Sequence, residues 1–218
     1  RELEEWLSSF TRLGLISEGE GPEGGLVAHG FVDVALEHGL DGAPGAVVLT
    51  LDPGLAFGTG THPSTALCLE WLDGQDIRAQ RVVDYGCGSG ILAIAACRLG
   101  AARVVGTDVD PQALVASRAN DMRNGVEAAF LRVDRLWGER IPFDVVVANI
   151  LANPLVLLAP ALARRVRTGG RIVLSGILEA QAAAVITGYR RWFNIAICDS
   201  DDGWVALAGA RRDENSVR

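Results

Sequence analysis

The run Val82-Val83-Asp84-Tyr85-Gly86-Cys87-Gly88-Ser89-Gly90-Ile91 constrains the fold more than any other part of the chain. Apolar residues of strand type lead into glycines at alternate positions, and apolar residues at helical spacing follow. That order predicts a strand, a tight loop and a helix. The glycines let backbone approach a ligand closely, and the helix N-terminus beyond them offers unpaired N–H groups. In a doubly wound sheet such a loop lies at the carboxyl edge of the strands, where ligands bind. The spacing is GxGxG, not the GxGxxG of dinucleotide folds, and the acidic Asp84 precedes it. A bare strand-to-helix turn would also account for this motif, so its meaning depends on the rest of the chain.

Apolar runs of strand length lie at 46–51, 81–85, 102–107, 143–148, 171–175, 193–198 and 204–209, with helix-length segments between most of them. The helix after Gly90 places Ile91, Ile94, Ala95 and Leu99 on one face and stops at Gly100. The next opens with Asp110 as N-cap and Pro111 in its first turn, and closes near Asn124-Gly125. A third sets Leu155, Leu158, Leu162 and Val166 on one face ahead of Gly169-Gly170. Strands alternating with helices predict an α/β fold: a doubly wound, mostly parallel sheet of seven strands with helices on both faces. Only Asp199 to Gly203 separate the last two runs, so an antiparallel hairpin closes the sheet.

The chain divides into an N-terminal appendage or linker at 1–45, a main domain at 46–210 and a tail at 211–218. Residues 2–13 have helical spacing in Leu3, Trp6, Leu7, Phe10 and Leu13. With 218 residues and 49% of them hydrophobic, one full domain and its core are within reach. All 20 basic residues are arginine, which excludes lysine Schiff-base chemistry and the lysine-bearing phosphate loop. The net charge of −7 favours a basic protein or a small molecule over nucleic acid as partner.

The cysteines Cys68, Cys87, Cys97 and Cys198 have no CxxC spacing, and His29, His38 and His62 are scattered, so neither zinc nor a disulfide framework is expected. The apolar stretch from Phe143 to Ala163 is interrupted by Asp144, Asn149, Asn153, Pro154 and Pro160 and reads as a strand followed by a helix, not a membrane span. Residues 1–20 lack a basic flank followed by an apolar run, so no signal peptide is expected and a reducing cytoplasm fits.

Asp108 ends the second strand, 22 residues after Gly86. A carboxylate there can accept both hydrogen bonds of a ribose diol, which points to adenosine-type ligands. Asp134 falls at the expected end of the next strand, where it can meet an adenine amino group or simply face water. Asn149 ends the fourth strand on the same rim as Gly86, Gly88 and Asp108 and needs partners for its amide. Upstream, Asp52-Pro53-Gly54-Leu55-Ala56-Phe57-Gly58-Thr59-Gly60-Thr61-His62-Pro63-Ser64-Thr65 is a glycine-rich segment running into a helix. It can fold over a ligand, with Phe57 as an apolar wall and Thr65 as a hydroxyl. His62 reads as a cap or packing residue more readily than as a general base. Cys87, with no base placed to activate it, reads as a small neighbour of the ligand. Trp71, Trp137, Trp192 and Trp204 read as packing residues.

The segments DPGLAFGTGTHPST, VVDYGCGSGILAIAA, GTDVDP and VVVANILANPL, in this order, resemble the class I S-adenosylmethionine methyltransferases, and specifically the bacterial PrmA family acting on large-subunit ribosomal protein eleven. The resemblance covers about residues 46–210 and implies a Rossmann-like fold with an antiparallel last strand. It implies S-adenosyl-L-methionine as cofactor, held by Thr65, Gly86, Asp108 and Asn149, with Asn149 also aiming the nucleophile. A lysine or α-amino nitrogen of a basic protein, a ribosomal one, is the implied acceptor. Family members also carry an N-terminal substrate-recognition domain, which residues 1–45 are too short to form. A nicotinamide-dependent oxidoreductase and an inactive cofactor-binding module are the competing readings, and the alternate-glycine spacing speaks against the former.

Overall fold

A computed structural model describes residues 32–36, 47–52, 62–136 and 141–213. The helical spacing at 2–13, Phe57 and Trp137 lie outside the described residues. Nine strands are described: β1 Val32–Leu36, β2 Val47–Leu51, β3 Arg81–Tyr85, β4 Arg103–Asp108, β5 Ala129–Arg132, β6 Phe143–Asn149, β7 Val166–Leu178, β8 Phe193–Asp201 and β9 Trp204–Arg211. The helices are α1 Pro63–Asp73, α2 Ile91–Arg98, α3 Pro111–Asn124, α4 Val133–Leu136, α5 Ala152–Ala163 and α6 Ala182–Tyr189.

Seven strands form the main sheet in the order β5-β4-β3-β6-β7-β9-β8. From β5 through β7 all neighbours are parallel, and β9 runs antiparallel to both β7 and β8. The chain leaves β3 toward β4 and β5, then crosses back to lay β6 on the other side of β3. In open α/β sheets a reversal of this kind, here between β3 and β6, is the switch point at whose carboxyl end ligands bind.

Alternation along the strands builds a core on each face. Val82, Val104, Val145 and Val147 pack with Leu67, Leu72, Ile91, Ile94 and Leu114 of α1, α2 and α3. Their strand neighbours Val83, Val105, Val146 and Ala148 pack with Leu155, Leu162, Val185 and Tyr189 of α5 and α6. Both faces of the central strands are therefore covered, which is why these segments read as unbroken apolar runs. The Tyr189 hydroxyl donates to the Leu155 carbonyl at 2.9 Å, giving the largest fully buried side chain a polar partner.

The run at 46–51 is a strand, but it pairs antiparallel with β1 in a separate two-stranded sheet. The remaining strand of the main sheet is the short β5, which follows α3. Val166, expected on a helix face, instead opens β7, because α5 ends at Ala163 and a turn follows. Gly169-Gly170 also lies within β7, where the register against β6 shifts between Phe143 and Val145. A Cβ on Gly170 would stand 2.9 Å from the Asp144 carbonyl oxygen, so this irregularity needs the glycine. Asp110 and Gly125 cap α3 as expected, the Asp110 carboxylate accepting the Gln112 N–H at 2.9 Å and Gly125 adopting φ 60°. Among the described residues no helix is long and apolar enough to cross a membrane.

Candidate functional site

The glycine loop leaves β3 at the switch point and enters α2. Gly86, Gly88 and Gly90 all have positive φ, at 78°, 51° and 84°. The Gly86 and Cys87 N–H groups both donate to the Thr107 carbonyl, at 2.7 and 2.9 Å, which folds the loop over the end of β4. A Cβ on Gly86 would lie 2.3 Å from Ile150 Cγ2, so the approach of this loop to the β6 end is possible only for glycine.

Asp108, at the end of β4, is half-buried and directed at that loop. Its Oδ2 accepts the Gly88 N–H at 3.0 Å and its Oδ1 accepts the Asp110 N–H at 2.9 Å. Each carboxylate oxygen retains a lone pair, so the group can still accept from a diol. Asn149, at the end of β6, donates from Nδ2 to Thr65 Oγ1 at 3.0 Å. Thr65 is buried in the first turn of α1, its own N–H held by the His62 carbonyl at 2.8 Å. Because the Asn149 N–H points to Thr65, its Oδ1 faces the other way, and a Cβ placed on Gly176 would lie 3.1 Å from it.

Thr65, Gly86, Gly88, Asp108 and Asn149 thus meet on one rim. Asp134 lies in the first turn of α4 after β5, exposed and 3.3 Å from Arg132 Nε. His62 is the N-cap of α1: its Nδ1 accepts the Ser64 N–H at 3.2 Å, and its ring meets Trp204 edge-on at 4.7 Å. Trp71 packs partly buried against the core and under Arg171, 5.9 Å from its guanidinium carbon. Cys87 is buried, and burial together with the nearby Asp84 and Asp108 carboxylates pushes its thiol well up, so a thiolate is disfavoured.

The sequence drew attention to Asp84 without giving it a role. It is buried, and its Oδ2 accepts the Ala93 N–H at 3.1 Å while Oδ1 has no hydrogen-bond partner among the described residues. Burial first, then the nearby Asp108 charge, outweighs that bond and raises its carboxyl to about 7. Thr107 Oγ1 is likewise buried and, among the described residues, unpartnered. A close backbone cradle, a diol acceptor, an oriented amide and a buried acid with acceptor capacity to spare fit a cationic nucleoside.

Residues 29–212 match the family described as Ribosomal protein L11 methyltransferase (PrmA). The chain is 61% identical over 173 residues to a ribosomal protein L11 methyltransferase of Azotobacter vinelandii, covering 78% of this chain and 58% of that protein. It therefore spans less than two thirds of the length of the curated relatives it matches. Among solved structures, a ribosomal protein L11 methylase from Lactobacillus delbrueckii subsp. bulgaricus superimposes with a TM-score of 0.69 at 34% identity, over 75% of this chain and 84% of that one. The 16S rRNA N2 G1207 methyltransferase of T. thermophilus, solved with AdoMet and guanosine, gives a TM-score of 0.62 at 22% identity, over 96% of this chain and 62% of that one. The latter likeness is one of fold.

Proposed function

The chain belongs to the PrmA family of ribosomal protein L11 methyltransferases, and from that premise we propose that it transfers methyl groups from S-adenosyl-L-methionine to amino groups of large-subunit ribosomal protein eleven. The acceptor is a lysine ε-amine or an α-amine. The observation that carries this reading is the 3.0 Å hydrogen bond between Asn149 and Thr65, which joins two segments 84 residues apart on the rim that also holds Gly86 and Asp108.

Asp108 would accept from the ribose hydroxyls, and the main chain at Gly86 and Gly88 would pass close beneath the cofactor. Phe57 and Asp134 are proposed as further neighbours of its adenosine. Asp84 would place an acid under its positive end, with an oxygen not claimed by the fold. When bound, S-adenosylmethionine supplies a methyl group already activated by a positively charged sulfur. The remaining work is positional.

An amine with an ordinary pKa of about 10.4 arrives protonated near neutral pH, so it must lose a proton to water or be desolvated in the site before its lone pair is available. Asn149 can then act on it. Thr65 holds the amide N–H, which leaves Oδ1 to accept from the amine and to aim the nitrogen lone pair. The substrate is proposed to be basic, in keeping with the net charge of −7, and the four cysteines, all free thiols, suit a reducing cytoplasm.

Asn149→Ala should lower the rate of methyl transfer about 100-fold with cofactor saturating, read by mass spectrometry of the ribosomal protein as a gain of about 14 Da per methyl. Transfer at the wild-type rate would remove Asn149 from the reaction.

A further inference from the structure

Strand β2 has two edges, and among the described residues only one of them is paired with a strand. The other is met by side chains of α3. The carboxamide of Asn124 accepts the Thr50 N–H at 2.9 Å and donates to the Thr50 carbonyl at 2.8 Å, a two-bond pairing of the kind a neighbouring strand would make. One turn earlier, Asn120 Oδ1 accepts the Asp52 N–H at 2.9 Å. Both asparagines are buried, Asn120 at 0% and Asn124 at 4% exposure, so these bonds satisfy amides that water does not reach.

The two differ in what else they touch. The second N–H of Asn124 goes to the Asn120 carbonyl within α3, at 2.8 Å. Asn120 instead reaches out of its helix and donates from Nδ2 to the Ser89 carbonyl at 3.0 Å. Ser89 sits between Gly88, held by Asp108, and Gly90, the N-cap of α2. Asp52 is the residue from which the chain departs toward Thr65. Arg123 reinforces the Asp52 side, donating to Asn120 Oδ1 at 2.9 Å with its other nitrogen 3.9 Å from Asp52 Oδ2. One amide therefore joins the glycine loop to the start of the glycine-rich segment, while Asn149 joins that segment's end to β6.

We infer that Asn120 is a positioning residue for cofactor binding, fixing the glycine loop and Asp52, at the end of β2, relative to each other. It touches neither cofactor nor substrate; it acts through the Ser89 carbonyl and the Asp52 N–H. The inference rests on the reading of this rim as the cofactor site. Asn124 supplies a matched control: it has the same side chain, lies on the same helix, is equally buried and is bonded to β2, but it has no bond to the glycine loop.

Isothermal titration with S-adenosylhomocysteine, and amide hydrogen exchange of the ligand-free protein, test it on the wild type, N120A, N120D and N124A. N120A should bind about tenfold more weakly, as expected when a buried carbonyl loses its partner. Its exchange should quicken both at 47–52 and at 88–93. N120D keeps the acceptor toward Asp52 and loses the donor toward Ser89, so it should weaken binding similarly even if N120A fails to fold. N124A should exchange faster at 47–52 alone and bind within about twofold of the wild type. Equal loss of affinity in N120A and N124A overturns the inference, as does unchanged affinity with unchanged glycine-loop exchange in the Asn120 variants. If the wild type binds no S-adenosylhomocysteine, the cofactor reading fails and exchange alone decides: retained protection at 88–93 in the Asn120 variants overturns the link, and its loss supports it.

Discussion

Asp84 and Asp144 stand on neighbouring parallel strands, one near the carboxyl end of β3 and the other near the amino end of β6, and their surroundings are opposite. Asp144 is fully engaged by the fold: Oδ1 takes Arg167 Nε at 2.5 Å and Oδ2 takes the Arg81 N–H at 2.8 Å. Burial pushes its carboxyl up, but the bonds from Arg167 and Arg81 and their charges pull it below the ordinary range. Among the described residues Asp84 has one backbone N–H, no cation, and an oxygen with no partner, so burial prevails and its carboxyl rises to about 7. At one end of the sheet an acid holds neighbouring strands together. At the other an acid is kept at a cost to stability, the usual mark of a site.

The glycines of the two ends should differ most. Gly86→Ala forces a Cβ to within 2.3 Å of Ile150 at φ 78°, and should cost about 2 kcal/mol of stability and most of the affinity for S-adenosylhomocysteine. Gly169→Ala, at φ 70° with its nearest neighbour 3.6 Å away, should cost about 1 kcal/mol of backbone strain and leave affinity unchanged. Denaturant melts and calorimetry on both variants check this, and equal affinities would erase the contrast.

The two acids should then separate with pH. The folded pKa of Asp84 is raised, so its contribution is fully present below about pH 4 and is lost as pH rises through about 7. Asp84→Asn should therefore be more stable than the wild type near pH 8, by about 2 kcal/mol, and should lose that advantage near pH 4. The folded pKa of Asp144 is lowered, so its contribution is present above about pH 4 and is lost as pH falls through the folded value. Asp144→Asn should cost about 1 kcal/mol near pH 7 and little in strong acid. Urea unfolding across this range gives both slopes, and slopes of the same sign would contradict the comparison.

The residues that carry the contrast were partly legible in the sequence. Gly86, Gly88, Asp108 and Asn149 stand where strands end, and polar or glycine residues closing an apolar run are visible without coordinates. Thr65 became a candidate through its glycine-rich segment, and the structure brings its hydroxyl to Asn149. What stayed hidden depends on pairing. β5 spans four residues with only Phe130 buried, too short to show a period. The strand at 47–51 looks like any other apolar run, and nothing local says that its partner is β1. Asn120 and Asn124 read as polar positions of a helix, because the backbone groups they satisfy lie up to 74 residues away in sequence.

The central claim is that the carboxyl edge of β3, β4 and β6 holds S-adenosylmethionine through the main chain of the glycine loop, Asp108, and the Asn149–Thr65 pair. A crystal structure of the protein with S-adenosylhomocysteine tests it most directly. The account predicts ribose hydroxyls on the Asp108 carboxylate and the sulfur end beside Asn149 and Thr65. A ligand bound elsewhere, or a soaked crystal with no ligand on this edge, would contradict it.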